Sequence, residues 1–280
     1  MERVRAPRAE LAPFVEALWL YDVPARPFAL ERVLPTAAPQ LVINLLEDRQ
    51  RVYDDRGAIV RCHTTSGSAI VGVSTRSAII DTAEQQSVVG VSFRAGGTTA
   101  FFAAPAHELA DAHVSLDDLW SGASAARLRA RVLAAATADA KLDAVESALV
   151  DALAQRADRG GPHPAVRAAL KAFRRDAPVS AVVDAIGLSP KRFIERFKAE
   201  VGVAPKTYCR ILRFQRAVSA AHAGREVDWA SLAIACGYFD QAHFIHDFHA
   251  FSGMTPTAYR DARTDFQNHV KFLQSAAAPI

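Results

Sequence analysis

The chain has 280 residues, 50% of them hydrophobic, and a formal net charge of +3. That length allows two domains with cores of their own, and no uncharged apolar run approaches the roughly 18–20 residues that span a bilayer. Cys62, Cys209 and Cys236 are too scattered for a zinc pattern or a disulfide framework, while Glu10, Pro13 and Glu16 interrupt any apolar leader core, so a cytoplasmic protein is expected.

The N-terminal half, taken as residues 1–159, is read as β-rich at first. Residues 14–22, 40–47, 50–54, 68–73, 76–82 and 87–94 are short β-branched or aromatic runs separated by turn residues. This is the pattern of an antiparallel sandwich or barrel. From Thr98 the period turns helical, with alanine-rich helices expected over 124–137 and 141–156. Arg159-Gly160-Gly161-Pro162 then reads as an interdomain linker.

Charge divides at the same place. Residues 160–280 hold 16 lysines and arginines against 10 acidic residues, whereas residues 1–159 hold 17 against 20. A basic C-terminal part on a slightly acidic N-terminal one fits nucleic-acid binding at one end.

The C-terminal part, residues 160–265, contains one segment twice. Gly187 to Tyr208 reads GLSPKRFIERFKAEVGVAPKTY, and Gly237 to Tyr259 reads GYFDQAHFIHDFHAFSGMTPTAY. Phe193, Ile194, Phe197, Gly202, Pro205 and Tyr208 recur 51 residues later as Phe244, Ile245, Phe248, Gly253, Pro256 and Tyr259. The two leading glycines are 50 apart, so the second copy has one extra residue in its turn. Each copy follows a short apolar helix, Val179 to Ile186 or Trp229 to Cys236. Gly187 and Gly237 stand where that helix must stop and turn. Ser189 with Pro190, and Asp240 in the second copy, are suitable caps for the helix that follows. The phenylalanines at i, i+4 face a core. Function is therefore expected from the residues between them, from Pro190 to Lys198 and from Gln241 to His249, Asp247 included. A short helix, a glycine turn and a second amphipathic helix is the plan of a helix-turn-helix.

This duplicated pattern, over roughly residues 163 to 263, resembles the DNA-binding domain of the AraC/XylS family of bacterial transcription regulators. The resemblance implies two recognition helices in successive major grooves of promoter DNA. Their base and phosphate contacts would fall to Lys191, Ile194 and Glu195 in the first and to Gln241, Ala242, His243 and His246 in the second, with Arg192 and Lys198 placed for phosphates. His246 stands where the family often carries arginine, so a bidentate guanine contact is not implied there. The connecting helix, Pro205 to about Ala223, spans roughly 28 Å at about 1.5 Å per residue. Successive major grooves lie about 34 Å apart. Both helices engage together only on bent DNA, at a cost of order 1–6 kcal/mol.

The order of elements in residues 1–159 also resembles the family's sensory domains, cupin or jelly-roll-like β-barrels followed by helices. Gly90 to Gly97, with Phe93-Arg94-Ala95-Gly96-Gly97, resembles an F-R-P-G-G signature of one branch, alanine replacing proline. The fold class expected is thus α+β, an N-terminal antiparallel β-barrel with helices before an all-α domain with two helix-turn-helix motifs. Trp19, Tyr21, Asn44, Phe93 and Arg94 are candidate pocket residues for a small-molecule effector. RNA polymerase and a second copy of the chain are candidate further partners. The alternative is a non-sensory DNA-binding protein whose N-terminal domain makes protein contacts only.

A metal-dependent cupin enzyme would need histidines and a carboxylate converging on one face. Only His63 lies in the β-rich stretch, with His107 and His113 beyond it. His243, His246 and His249 are spaced by three, but the first two fall at the DNA-facing positions. No catalytic residue, metal or cofactor is expected. The tail, residues 266–280, has no assigned role, although Val270, Phe272 and Leu273 suit packing back on a domain.

Overall fold

The computed structural model describes residues 2–27, 29–55, 60–156, 160–224 and 227–272. Its N-terminal region contains strands β1 (Glu2–Arg5), β2 (Val15–Asp22), β3 (Leu30–Val33), β4 (Gln40–Asn44), β5 (Arg49–Asp55), β6 (Val60–Ser66), β7 (Ser68–Val71), β8 (Ala78–Asp81), β9 (Ser87–Phe93) and β10 (His113–Ser115). The eleventh strand, β11 (His269–Lys271), comes from the far end of the chain. Two antiparallel sheets result, in the orders β1-β2-β9-β4-β7-β10 and β11-β3-β8-β5-β6. Among the described residues the two sheets are not joined into the expected closed barrel, and the alternating strands supply two different faces.

Period-two alternation decides what each face of the larger sheet does. Leu18 and Leu20, Leu41 and Ile43, Ile70, and Val89, Val91 and Phe93 share one buried cluster. They pack there against α1 (Leu116–Leu119), α2 (Gly122–Ala134) and α3 (Ala138–Ala154), through Leu116, Leu128, Val132, Leu142, Val145 and Leu149. Trp19, Tyr21, Val42, Val71 and Val88 have the opposite parity and cluster on the other face, towards the smaller sheet.

The helical region comprises α4 (Pro164–Phe173), α5 (Val179–Ala185), α6 (Pro190–Val201), α7 (Pro205–Ala223), α8 (Trp229–Ala235), α9 (Gln241–Ser252) and α10 (Pro256–Ala262). Phe193, Phe197, Tyr208, Phe214, Phe244, Phe248 and Tyr259 are all fully buried in one core. Leu34, Val73 and Ala95 of the N-terminal region enter the same cluster, so apolar packing continues across the boundary. Gln215 of α7 also donates to the Pro35 carbonyl at 2.5 Å. Of the expected linker, Arg159 lies outside the described residues. Gly161 has φ 76°, and a Cβ there would lie 2.6 Å from the Phe14 ring, so this turn is pressed against the N-terminal region.

Residues 269–272 return to the first domain. β11 pairs with β3 in the register His269–Val33, Val270–Arg32 and Lys271–Glu31. Val270 is completely buried, and Phe272 packs on Leu30, Tyr53 and Ile79. The packing expected of Val270 and Phe272 is therefore present, whereas Leu273 lies outside the described residues.

Candidate nucleic-acid interface and ligand cavity

Each of α6 and α9 is set by the residues of the turn before it. Gly187 has φ 73° and Gly237 φ 80°, a left-handed conformation that a β-carbon disfavours. Ser189 Oγ then accepts from the Arg192 amide at 3.4 Å and Asp240 Oδ1 from the His243 amide at 2.7 Å, satisfying N-terminal donors of α6 and α9. The caps expected from the sequence are in place.

With Phe193, Phe197 and Val201 inside, α6 exposes Lys191, Arg192, Ile194, Glu195, Arg196 and Lys198. With Phe244, Phe248 and Phe251 inside, α9 exposes Gln241, Ala242, Ile245, His246 and His249. His243 is half-buried and meets the Tyr238 ring edge-on at 5.3 Å. The sequence-predicted contact residues of each helix therefore lie on its solvent side, His243 at the margin. Asp247 does not belong with them. It is buried and receives Arg210 of α7 through Nη2 at 2.7 Å and Nε at 3.4 Å, cross-bracing α7 and α9.

One solvent-facing group escaped the sequence reading. Phe239 is 86% exposed, in the turn immediately before α9. The signal was the extra residue in the second turn, which leaves room for a side chain that the short core does not cover.

A helix-turn-helix domain model matches residues 182–262, and a model described as a domain of unknown function matches residues 3–115. The first covers both turns and the helices that follow them, with their duplicated F-x-x-x-F, glycine, proline and tyrosine positions. Residues 182–262 thus form a helix-turn-helix domain of the AraC type. That domain makes the chain a DNA-binding transcription regulator. No curated protein matches it. Among solved structures it is similar to ToxT from Vibrio cholerae. An apo ToxT variant is 10% identical, with 87% of this chain and 96% of that chain covered and a TM-score of 0.47. ToxT at 1.65 Å resolution is 8% identical, covering 93% and 98%, with a TM-score of 0.47. ToxT bound to an unsaturated fatty acid is 9% identical, covering 91% and 96%, with a TM-score of 0.46. Among the described residues no helix is long and apolar enough to cross a membrane. Nor do three or more His, Cys, Asp or Glu side chains come together there in a metal-binding group.

Between the two sheets of this AraC-type chain lies a cavity of about 320 Å³. Trp19, Val42, Val71 and Val88 line it from the larger sheet, and Val33, Val52 and Ile80 from the smaller. Of the five candidate pocket residues, Trp19 and Tyr21 line it. Asn44 instead folds its carboxamide into a turn, accepting from the Leu46 and Glu47 amides at 2.8 and 3.0 Å. Phe93 has the parity of Val89 and Val91 and packs towards the helices, against Phe101 and Phe102. Arg94 braces the loop, donating to the Ala12 carbonyl at 2.8 Å and pairing with Glu16. These three belong to the scaffold of the larger sheet. His113, which also lines the cavity, has its imidazole pushed down to about 4, chiefly by burial and further by His63.

Proposed function

We propose that the chain reads promoter DNA with both recognition helices, α6 and α9 in successive major grooves, and that its N-terminal domain senses a small molecule. The observation that carries the reading is the repeated partition of each helix, with aromatic residues inside and polar or basic residues at its N-terminal half in solvent. Lys191, Ile194 and Glu195 would meet base edges and nearby phosphates from α6, and Gln241, Ala242, His243 and His246 from α9. Arg192 and Lys198 would hold phosphates, which set register without reading sequence. Phe239, beside the second face, is suited to apolar contact with a sugar or a thymine methyl. The nineteen residues of α7 separate the readers by less than a groove repeat, so the operator is read bent. The cavity supports sensing over a domain that makes protein contacts only, because it joins an apolar wall to convergent polar groups.

Selection from a random duplex library with the full chain, at two salt concentrations, tests the DNA reading. The expected product is a gapped motif with half-sites about one helical turn apart and affinity that falls steeply with salt. Gln241→Ala and Lys191→Ala should each relax a different half-site. A single ungapped half-site, relaxed by only one of the two substitutions, would overturn the two-groove reading.

A further inference from the structure

The wall of the cavity is not made by the N-terminal domain alone. Phe266, Gln267, Asn268 and His269, which follow the last helix of the DNA-binding domain, also line it. Phe266 meets the Tyr21 ring edge-on at 5.5 Å, and Tyr21 lies 5.1 Å from Trp19, so one end of the cavity is a three-ring aromatic box of which the tail supplies a side. Arg26 covers Phe266 at 4.7 Å, and His269 holds buried Glu31 at 2.8 Å. The Asn268 carboxamide oxygen is buried and accepts no hydrogen bond, an acceptor left for something else to satisfy.

The cavity's charges are already balanced. Arg26 pairs with Glu31, Arg51 with Glu84 at 2.6 Å, and Arg76 with Asp54 at 3.9 Å, so each arginine of the lining faces a carboxylate. His113 is held neutral by its burial. An anionic ligand would have to break one of these pairs while losing its own hydration. Carboxamides of Gln40 and Gln85 and the hydroxyl of Ser74 instead offer uncharged hydrogen bonds on apolar walls, while the Gln50 nitrogen is spent on the Val42 and Gly67 carbonyls and Ser92 accepts from Trp19.

The same tail is tied to the DNA-binding helices. The Tyr259 hydroxyl of α10 donates to the Gln267 carbonyl at 3.0 Å, and Arg263 donates to the carbonyls of Ala221 and Gly224 at the end of α7. β3, on which β11 lies, sends Glu31 and Val33 into the cavity and Arg32 the other way. Arg32 binds Ser77 at 2.8 Å, and Ser77 in turn takes the carbonyls of Phe251 and Ser252 at the C-terminus of α9.

We propose that residues 266–269 are ligand-binding residues, that the cavity takes an uncharged, flat-ringed molecule bearing an N–H or O–H donor, and that its occupancy clamps the tail strand and so sets the position of α9. This rests on the sensing reading above and goes beyond it in assigning the ligand's chemistry and its route to the DNA. The test uses two fluorescent probes with the same ring system, N-phenyl-1-naphthylamine, which is neutral with one N–H, and 8-anilinonaphthalene-1-sulfonate, its anionic relative. On the full chain the neutral probe should bind saturably, accept energy from Trp19, and bind at least tenfold more tightly than the sulfonate. Val71→Trp, which fills the cavity, should abolish that binding, and Phe266→Ala should weaken it roughly fivefold to tenfold. Hydrogen exchange of the wild-type chain, which needs no variant to fold, should slow at 30–33 and 264–272 and at the end of α9 when the neutral probe is added.

Probe binding that Val71→Trp abolishes, with unchanged exchange in 264–272 and unchanged affinity in Phe266→Ala, would overturn the tail's role and leave sensing standing. Equal binding of the sulfonate would overturn the ligand class. Failure of the neutral probe to bind, or binding indifferent to Val71→Trp, would remove the sensing reading and this proposal with it.

Discussion

The four glycines of the duplicated motif divide into two kinds, and substituting them measures how the DNA-binding domain is seated. Gly187 and Gly237 have φ 73° and 80°, and a Cβ at either would meet nothing within 4 Å. Alanine there carries only the left-handed backbone cost, about 1–2 kcal/mol. Gly202 and Gly253, at the ends of α6 and α9, have φ 105° and 71° and touch the N-terminal domain. A Cβ on Gly253 would lie 2.9 Å from Nη1 of Arg32, the atom that holds Ser77 at 2.8 Å. Gly253→Ala should therefore cost the same backbone energy plus about 1 kcal/mol for the displaced hydrogen bond, some 2–3 kcal/mol in all. Urea unfolding of the full chain, with the Arg32→Ala single and double variants, completes a cycle. The double variant should be about 1 kcal/mol less destabilised than the sum of the singles, because the crowded guanidinium is gone. Strict additivity, or equal losses from Gly237→Ala and Gly253→Ala, would refute the contact as an energetic link between the domains.

Three further outcomes are expected. Phe239→Ala should leave the unfolding midpoint unchanged, since the ring is in solvent, yet weaken binding to a selected duplex severalfold; unchanged DNA affinity would make the ring incidental. His113 has a folded value of about 4 against an ordinary 6.5, so the unfolded chain binds the proton first and stability falls as pH drops from 6.5 towards 4, by up to about 3 kcal/mol. His113→Gln should flatten that part of the stability–pH curve, and an unaltered curve would show that other groups set it. Arg210→Ala strands the buried Asp247 carboxylate, whereas Asp247→Ala leaves a guanidinium about one-third exposed that can rehydrate; the first should cost roughly 2–4 kcal/mol and the second about 1–2, and the reverse order in denaturant titrations would contradict the assignment.

The helix-turn-helix pair was legible because its determinants are local. Glycine turns, caps and i, i+4 phenylalanines act within a few residues, and α7 runs over the Pro205–Ala223 span expected of it. The strands made of β-branched runs were equally plain. β1, with the sequence Glu-Arg-Val-Arg, and β6, with Arg-Cys-His-Thr-Thr, carry no apolar alternation because each lies at a sheet edge. Barrel closure was not legible, since it depends on how strand ends meet and not on any strand's own pattern. The pocket assignment failed on parity for Phe93: it shares the parity of Val89 and Val91, while Val88 and Ser92 face the cavity. β11 was the least legible element. Three residues joined to a helical domain acquire their strand character only from β3, 236 to 240 positions earlier in the chain.

That distant pairing changes what the domain boundary means. In a chain whose two domains were joined only by the segment before α4, a ligand in the first could move the second only as a rigid body on a tether. Here the chain leaves α10, lines the cavity and enters the smaller sheet as β11, beside β3, whose Arg32 holds the Ser77 that donates to the C-terminus of α9. The first recognition helix is seated likewise: a Cβ at Gly202, the end of α6, would lie 3.2 Å from the Ala106 carbonyl oxygen and 3.5 Å from Val73. Both α6 and α9 thus rest by their C-terminal ends on one domain, leaving their N-terminal halves to solvent. A shift of β3 would reach the C-terminus of α9 through Arg32 and Ser77. On the proposed two-groove reading such a shift would alter how α6 and α9 fit one DNA face, since a packed interface moves between discrete arrangements and does not deform continuously.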